Sequence, residues 1–215
     1  MNSAPPPDNP RPTTPARPRP GGRTARIRAQ VLEAVHAELT ECGYDALTVD
    51  TVAARAGVHR TTVYRRWHDV GGLITDLIAA ASDMEWHPRD IGSLRGDLAA
   101  LNQEIQDSLT EEASIAVALI AVSFRSEEAA RALRQFWEDR YAQCEIIIER
   151  AVRRGEIPPT TDARAVLIAA TAPLYHQLVL LRTPPDPHLP HDAAVSAALA
   201  ASGGAFTNPR TTGAT

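Results

Sequence analysis

The stretch AGVHRTTVYRRW, Ala56 to Trp67, gathers guanidinium groups at Arg60, Arg65 and Arg66, hydroxyls at Thr61, Thr62 and Tyr64, and an imidazole at His59. These groups suit recognition rather than bond-making. A guanidinium offers a bidentate fork to guanine O6 and N7, a threonine methyl packs on a thymine methyl, and hydroxyls or helix N-terminal amides hold phosphate oxygens. The rest of the chain lays out no competing reaction centre. There is no Ser-His-Asp order, glycine-rich phosphate loop or metal-spaced cluster, and His188 and His191 lie three apart in a proline-rich loop. No catalytic residue, metal or cofactor is expected, and the chain does not read as an enzyme.

Such side chains need a helix to aim them. Ile27, Val31, Val35 and Leu39 recur every four residues up to Gly43, which predicts a first helix from near Thr24. Thr48 then offers an N-cap with Asp50 in the first turn, where negative charge suits the helix dipole, so a second helix runs over about 49–56. Gly57 breaks it, and HRTTVYRRW resumes as a third helix after a turn of about three residues. Two short helices around a glycine turn match the helix-turn-helix. Ala53 is small where the helices must cross, Gly57 tolerates positive φ, and Val52, Ala56, Val58, Val63 and Trp67 fall on inward positions. Double-stranded DNA is the partner this pattern implies.

The charge distribution agrees. The formal net charge is −4, yet residues 1–68 carry ten arginines against six acids while 69–215 carry twelve against twenty. A basic module that meets an anion, joined to an acidic one that does not, fits that asymmetry. All 22 basic residues are arginine. With 44% hydrophobic residues the chain can bury a substantial core. Two cysteines, Cys42 and Cys144, lack metal-type spacing, and the proline- and arginine-rich N-terminus lacks the apolar stretch of an export signal, so a cytoplasmic location is expected. The longest nearly unbroken apolar run, Ile115 to Phe124, is about half of what a membrane span needs. No membrane association is expected.

The segment LTVDTVAARAGVHRTTVYRRWHDVGGLI, with TARIRAQVLEAVHAELTECGY before it, resembles the DNA-binding domain of the tetracycline-repressor (TetR) family of bacterial regulators. The match covers roughly residues 24–80: a helix ending in Gly43 and Tyr44, Thr48 opening the next, AGV, then a recognition helix with Thr62 and Tyr64 that ends at Trp67. The resemblance implies that Arg60, Thr61, Tyr64 and Arg65 reach bases or nearby backbone, that Thr48 and Thr62 anchor phosphates, and that Val63 and Trp67 face inward. Arg66 is a phosphate contact or a solvated charge. Two departures stand out: His59, a poor N-cap, replaces the usual serine or threonine, and Val70-Gly71-Gly72 replaces a phosphate-clamping lysine. His68 or the arginine arm, with Arg19, Arg23 and Arg26 reaching a narrow minor groove, could take over those contacts; a solubilising tail is the other reading of the arm.

The remaining sequence is helical by pattern, so the expected fold is all-α: a three-helix helix-turn-helix domain over 23–70, a helical ligand-binding and dimerisation domain over 71–203, a disordered Arg/Pro-rich arm over 1–22 and a flexible tail over 204–215. Helices are expected over about 93–109, around Ile115, over 127–155 with Leu133, Trp137, Cys144, Ile148 and Ala151 on one face, and as a last pair over 161–181 and 192–202. Pro173 should kink the first of that pair. By family analogy the last two helices form a homodimer interface, unless their alanines simply pack within one subunit. An apolar pocket for an unknown small-molecule effector is expected among the middle helices, with Trp86, Phe124, Trp137, Tyr141, Tyr175 and His176 as candidates. The expected function is a repressor bound to a pseudo-palindromic operator as a dimer and released by its effector. A ligand-independent or architectural DNA-binding protein is the alternative.

Overall fold

The computed structural model describes residues 20–82, 86–112 and 114–207. Arm residues 1–19, Arg19 included, and tail residues 208–215 lie outside them. Helix α1 (Pro20–Cys42) buries the Val31, Val35 and Leu39 stripe and stops at Gly43, whose φ of 77° turns the chain into a short 3-10 turn, Tyr44–Ala46. It starts four residues before Thr24, so Pro20, Gly21 and Gly22, expected in the disordered arm, form its first turn; proline fits there because a first-turn N–H has no helical partner to lose. Then come α2 (Val49–Ala56), α3 (Arg60–Trp67) and α4 (Val70–Ser82).

Helices α5 (Leu94–Thr110), α6 (Ile115–Ser123), α7 (Glu127–Arg153), α8 (Ala163–Leu174) and α9 (Leu189–Ser202) complete the described chain. Each of α5 to α8 begins at a side-chain oxygen that accepts a first-turn N–H: Ser93, Ser114, Ser126 and Asp162. Past Pro173 the helix does more than kink. Residues Tyr175–Leu180 widen into a π-helix, a register change consistent with the amide that proline cannot donate. Helix α9 likewise starts earlier than residue 192, because Pro190 is tolerated in its first turn. The chain also stays ordered beyond 203: Gly204 turns back at φ 77°, Asp162 donates its N–H to the Phe206 carbonyl at 2.8 Å, and Thr161 pairs with Thr207 in an isolated bridge.

Two large apolar clusters and a small one around Leu174, Leu189 and Ala193 organise the described residues, and the first does not stop at residue 70. It joins Val31, Val35, Leu39, Val52, Val63 and Trp67 to Leu73, Ile74 and Ile78 of α4 and on to Leu119, Val122 and Ala129. Helix α4 therefore belongs to the core of the reading head as much as to the larger helical domain. The second cluster packs α5, α7, α8 and α9, through residues such as Leu98, Ile147, Leu167 and Ala197. Asp97, almost fully buried, locks its edge by accepting from the Ile91 N–H at 2.6 Å and from Arg154 at 3.1 Å. The stretch Ala163–Leu180 is apolar and long enough for a bilayer by length and composition, but Val166, Leu167, Ala170 and Leu174 within it are buried in the protein.

Candidate nucleic-acid interface and inner cavity

Helices α2 and α3 meet through Ala53, Val52, Val63 and Trp67, all buried. Gly57 caps α2 in the left-handed conformation at φ 65°, and the Val58 N–H returns to the Ala53 carbonyl at 3.1 Å, closing the turn. At the other end Thr48 and Thr51 form a capping box: the Thr51 N–H donates to Thr48 Oγ1 at 3.0 Å and the Thr48 N–H to Thr51 Oγ1 at 3.1 Å. Thr48 remains exposed, with the acceptor side of its hydroxyl already committed to the cap. Arg55 fastens α2 to α1 through Glu38 at 2.6 Å and Glu41 at 2.7 Å.

With Val63 and Trp67 turned inward, α3 presents Arg60, Thr61, Tyr64, Arg65 and Arg66 to solvent, and Thr62 is half-buried beside them. Tyr64 leaves 47% of its surface exposed, a large fraction for an aromatic that packing could have hidden. His59 corrects an expectation. Its ring does cap α3, because Nδ1 lies 2.9 Å from Thr61 Oγ1 and accepts from the Thr61 N–H at 3.4 Å, a reach that an aromatic ring attains two residues on. Arg66 stacks its guanidinium 5.0 Å over the Trp67 ring. Arg23 and Arg26 sit exposed on the first turns of α1, three apart and so on one face.

The joint between α3 and α4 is very short. His68, exposed, takes a positive φ of 66° with ψ −49°, and the Asp69 N–H reaches back to the Trp67 carbonyl at 2.8 Å, forming a γ-turn. Asp69 then caps α4 by accepting the Gly72 N–H at 2.9 Å. A Cβ on Gly72 would stand 2.0 Å from the Trp67 carbonyl oxygen, so glycine here lets α4 touch the end of α3. Farther along α4, Asp76 accepts from Trp67 Nε1 at 2.7 Å and from Arg28 of α1 at 2.7 Å. Burial pushes the Asp76 carboxyl up, but hydrogen bonds from Arg28 and Trp67 and the charges of Arg28 and Arg66 outweigh it, leaving the group below its ordinary value.

A cavity of about 360 Å³ opens behind this module, walled by residues of α4 to α8, Trp86 and Tyr175. Of the aromatic candidates, Trp86, Trp137, Tyr141 and Tyr175 line it. Phe124 and His176 do not. Phe124 stands 79% exposed at the α6–α7 turn, and His176, exposed beyond the proline, sits in the π-helix one residue after the inward Tyr175. Ile78 and Ala81 of α4 and Ile115, Leu119 and Ile120 of α6 form the wall nearest the reading head. Trp137 meets Tyr175 edge-on at 5.4 Å. Burial raises the Tyr175 hydroxyl well above its ordinary value and pushes the Cys144 thiol up to about 12, so both stay protonated at neutral pH. Glu104, Arg140, Cys144 and Thr171 also line the cavity without having been singled out as lining from sequence. The signal for Arg140 was present: it falls at helical spacing from Leu133, Trp137 and Cys144, a charge on an otherwise apolar stripe.

A second link joins cavity wall to reading head. Arg125, just past α6, pairs with Asp45 at 2.6 Å and lies 5.5 Å over the Tyr44 ring in the α1–α2 connection.

Comparison with known proteins agrees with this geometry at both ends. Residues 31–74 match the model described as bacterial regulatory proteins, tetR family, and residues 88–197 match the tetracyclin repressor-like C-terminal domain. The chain is 35% identical over 174 residues to the HTH-type transcriptional regulator AqdR of Rhodococcus erythropolis, covering 80% of this chain and 83% of that one. It is 30% identical to the DNA-binding transcriptional repressor TetR of Mycobacteroides abscessus, over 74% of this chain and 83% of the relative. Among solved structures, the TetR family transcription regulator SCO0332 superposes with a TM-score of 0.62 at 26% identity, over 80% of this chain and 97% of that one. A helix-turn-helix with its recognition face free, a helical domain behind it and matches across both parts place the chain in the TetR family of bacterial DNA-binding transcriptional regulators.

Proposed function

We propose that the protein is an effector-controlled repressor that acts in the cytoplasm, binding a pseudo-palindromic operator as a homodimer and leaving it when a small molecule fills the inner cavity. The observation that carries this reading is the double role of α4. Its Asp76 holds the recognition helix through Trp67, and two residues later Ile78 lines the cavity. A ligand that moves the cavity wall therefore moves the reading head. Arg60, Thr61, Tyr64 and Arg65 serve as base-proximal groups, Thr48, Thr62, Arg66 and His68 as backbone-facing ones, and Arg23 and Arg26 as groups that reach the minor groove. The repressor named among the relatives supports the sign of control.

The dimer rests on the far side of the chain. Ile168, Leu180, Leu181 and Leu199 leave large apolar surface exposed on α8, its π-helical continuation and α9. Pairing that face between two copies would bury it and place two copies of α3 for half-sites about one DNA turn apart.

Selection of bound DNA from a random pool, at two salt concentrations, tests the reading. A two-fold-symmetric site is expected, with affinity falling about a thousandfold or more between roughly 50 and 200 mM salt. Recovery of a single asymmetric half-site, or of no preferred sequence, would overturn it.

A further inference from the structure

The chemistry of the cavity narrows what can fill it, on the reading that this cavity is the effector site. Its wall is graded from end to end. Toward α4 and α6 it is aliphatic, with Ile78, Leu119 and Ile120, whereas Glu104, Arg140, Tyr141 and Tyr175 belong to the opposite part of α5, α7 and the π-helix. The two charges at that end are not equivalent. Glu104 is already engaged: its Oε2 accepts from Trp86 Nε1 at 3.0 Å and its Oε1 meets Arg89 at 3.0 Å. Arg140 instead lies 4.4 Å over the Trp86 ring and 5.3 Å over the Phe136 ring, and among the described residues no carboxylate or carbonyl accepts from it. Rings orient a guanidinium without using its N–H groups, which lie in the plane of the fork. A half-buried cation with free donors is a costly arrangement unless an acceptor arrives.

We propose that the cavity binds a small apolar acid, its hydrocarbon or aromatic body lying toward α4 and α6 and its anionic oxygens held by Arg140, with the Tyr175 hydroxyl as a neutral neighbouring donor. A charge-assisted, planar pair of hydrogen bonds would fix the orientation of the ligand. The apolar body then bears on Ile78, two residues along α4 from the Asp76 contact that holds the recognition helix. A volume of about 360 Å³ admits a one- or two-ring body.

Three matched probes test this on the full-length protein: 2-naphthoate, 2-naphthamide and 2-naphthylmethylammonium, with binding read by quenching of tryptophan fluorescence and by calorimetry. The acid should bind about tenfold or more tighter than the amide, and the amine weakest. Arg140→Gln should erase the preference for the acid while leaving affinity for the amide within about threefold, which also shows that the cavity has kept its shape. Arg140→Lys should restore part of it. Glu104→Gln, which keeps Arg140 and removes the one carboxylate that lines the cavity among the described residues, should sharpen the preference, so a failure of Arg140→Gln to fold does not shelter the idea. Equal binding of acid and amide, a preference that survives Arg140→Gln, or no binding of any of the three overturns the proposal. Arg140-dependent binding of the acid with unchanged operator affinity would instead uphold the anion site and sink the effector-controlled repressor.

Discussion

At the scale of single residues, the recognition helix divides its side chains cleanly. Val63 is fully buried and Trp67 nearly so, while Arg60 and Arg65 stand free. If Arg60 reads a guanine, Arg60→Ala should cost about 1–3 kcal/mol in operator affinity and relax preference at one position per half-site. Profiling the variant against a library of single-base changes checks this, and uniform weakening across all sequences would demote Arg60 to a phosphate contact. That division is legible in the sequence, because Ala53, Gly57 and Val63 are fixed by contacts within one supersecondary unit. The cap by His59 is not legible, since it depends on where the ring places Nδ1 relative to the Thr61 amide, which residue type does not decide. Nor can residue type choose between Phe124, which is exposed, and Phe136, which lines the cavity. Tertiary packing makes that choice.

At the scale of elements, the contact between α3 and α4 governs the module. Gly72→Ala would drive a methyl into the Trp67 carbonyl oxygen, which lies 2.0 Å from where the Cβ would sit, and should separate the two helices. Loss of operator binding with most helical content retained, by gel shift and circular dichroism, is the expected result. Asp76→Asn should cost about 1–3 kcal/mol of stability at neutral pH, since it weakens hydrogen bonds from both Arg28 and Trp67. The sign with pH comes from the lowered carboxyl. Its contribution is present above the unfolded value, about 4, and disappears as pH falls through the folded one, so wild type and Asp76→Asn should converge in thermal melts on acidification. Helix positions on the chain are legible from periodicity to within a few residues. The π-helix after Pro173 is not: proline announces a disturbance, but which register the next turn adopts depends on what Tyr175 finds to pack against, here Trp137.

At the scale of the whole molecule, two large apolar clusters and a small one form the core of the described residues, and an apolar surface is left outside them. Leu180 and Leu199 are 68% and 69% exposed. Replacing both by glutamate should convert the dimer to a well-folded monomer by sedimentation, and operator affinity should fall about a hundredfold or more because two half-sites are no longer read together. A variant that stays dimeric would move the interface elsewhere. The two-part architecture is legible from the charge contrast between the halves and from the spacing of the helices. The boundary between the parts is not, because one cluster runs from α1 and α3 through α4 to α6 and α7, and α4 carries no compositional mark of that. The γ-turn at His68 sets a final consequence. A connection of two residues, one of them at positive φ and the next capping α4, has no slack to take up motion. On the proposed reading, a shift of α4 reaches the DNA as a change of place with the recognition helix intact, so the message is carried by position and not by loss of order.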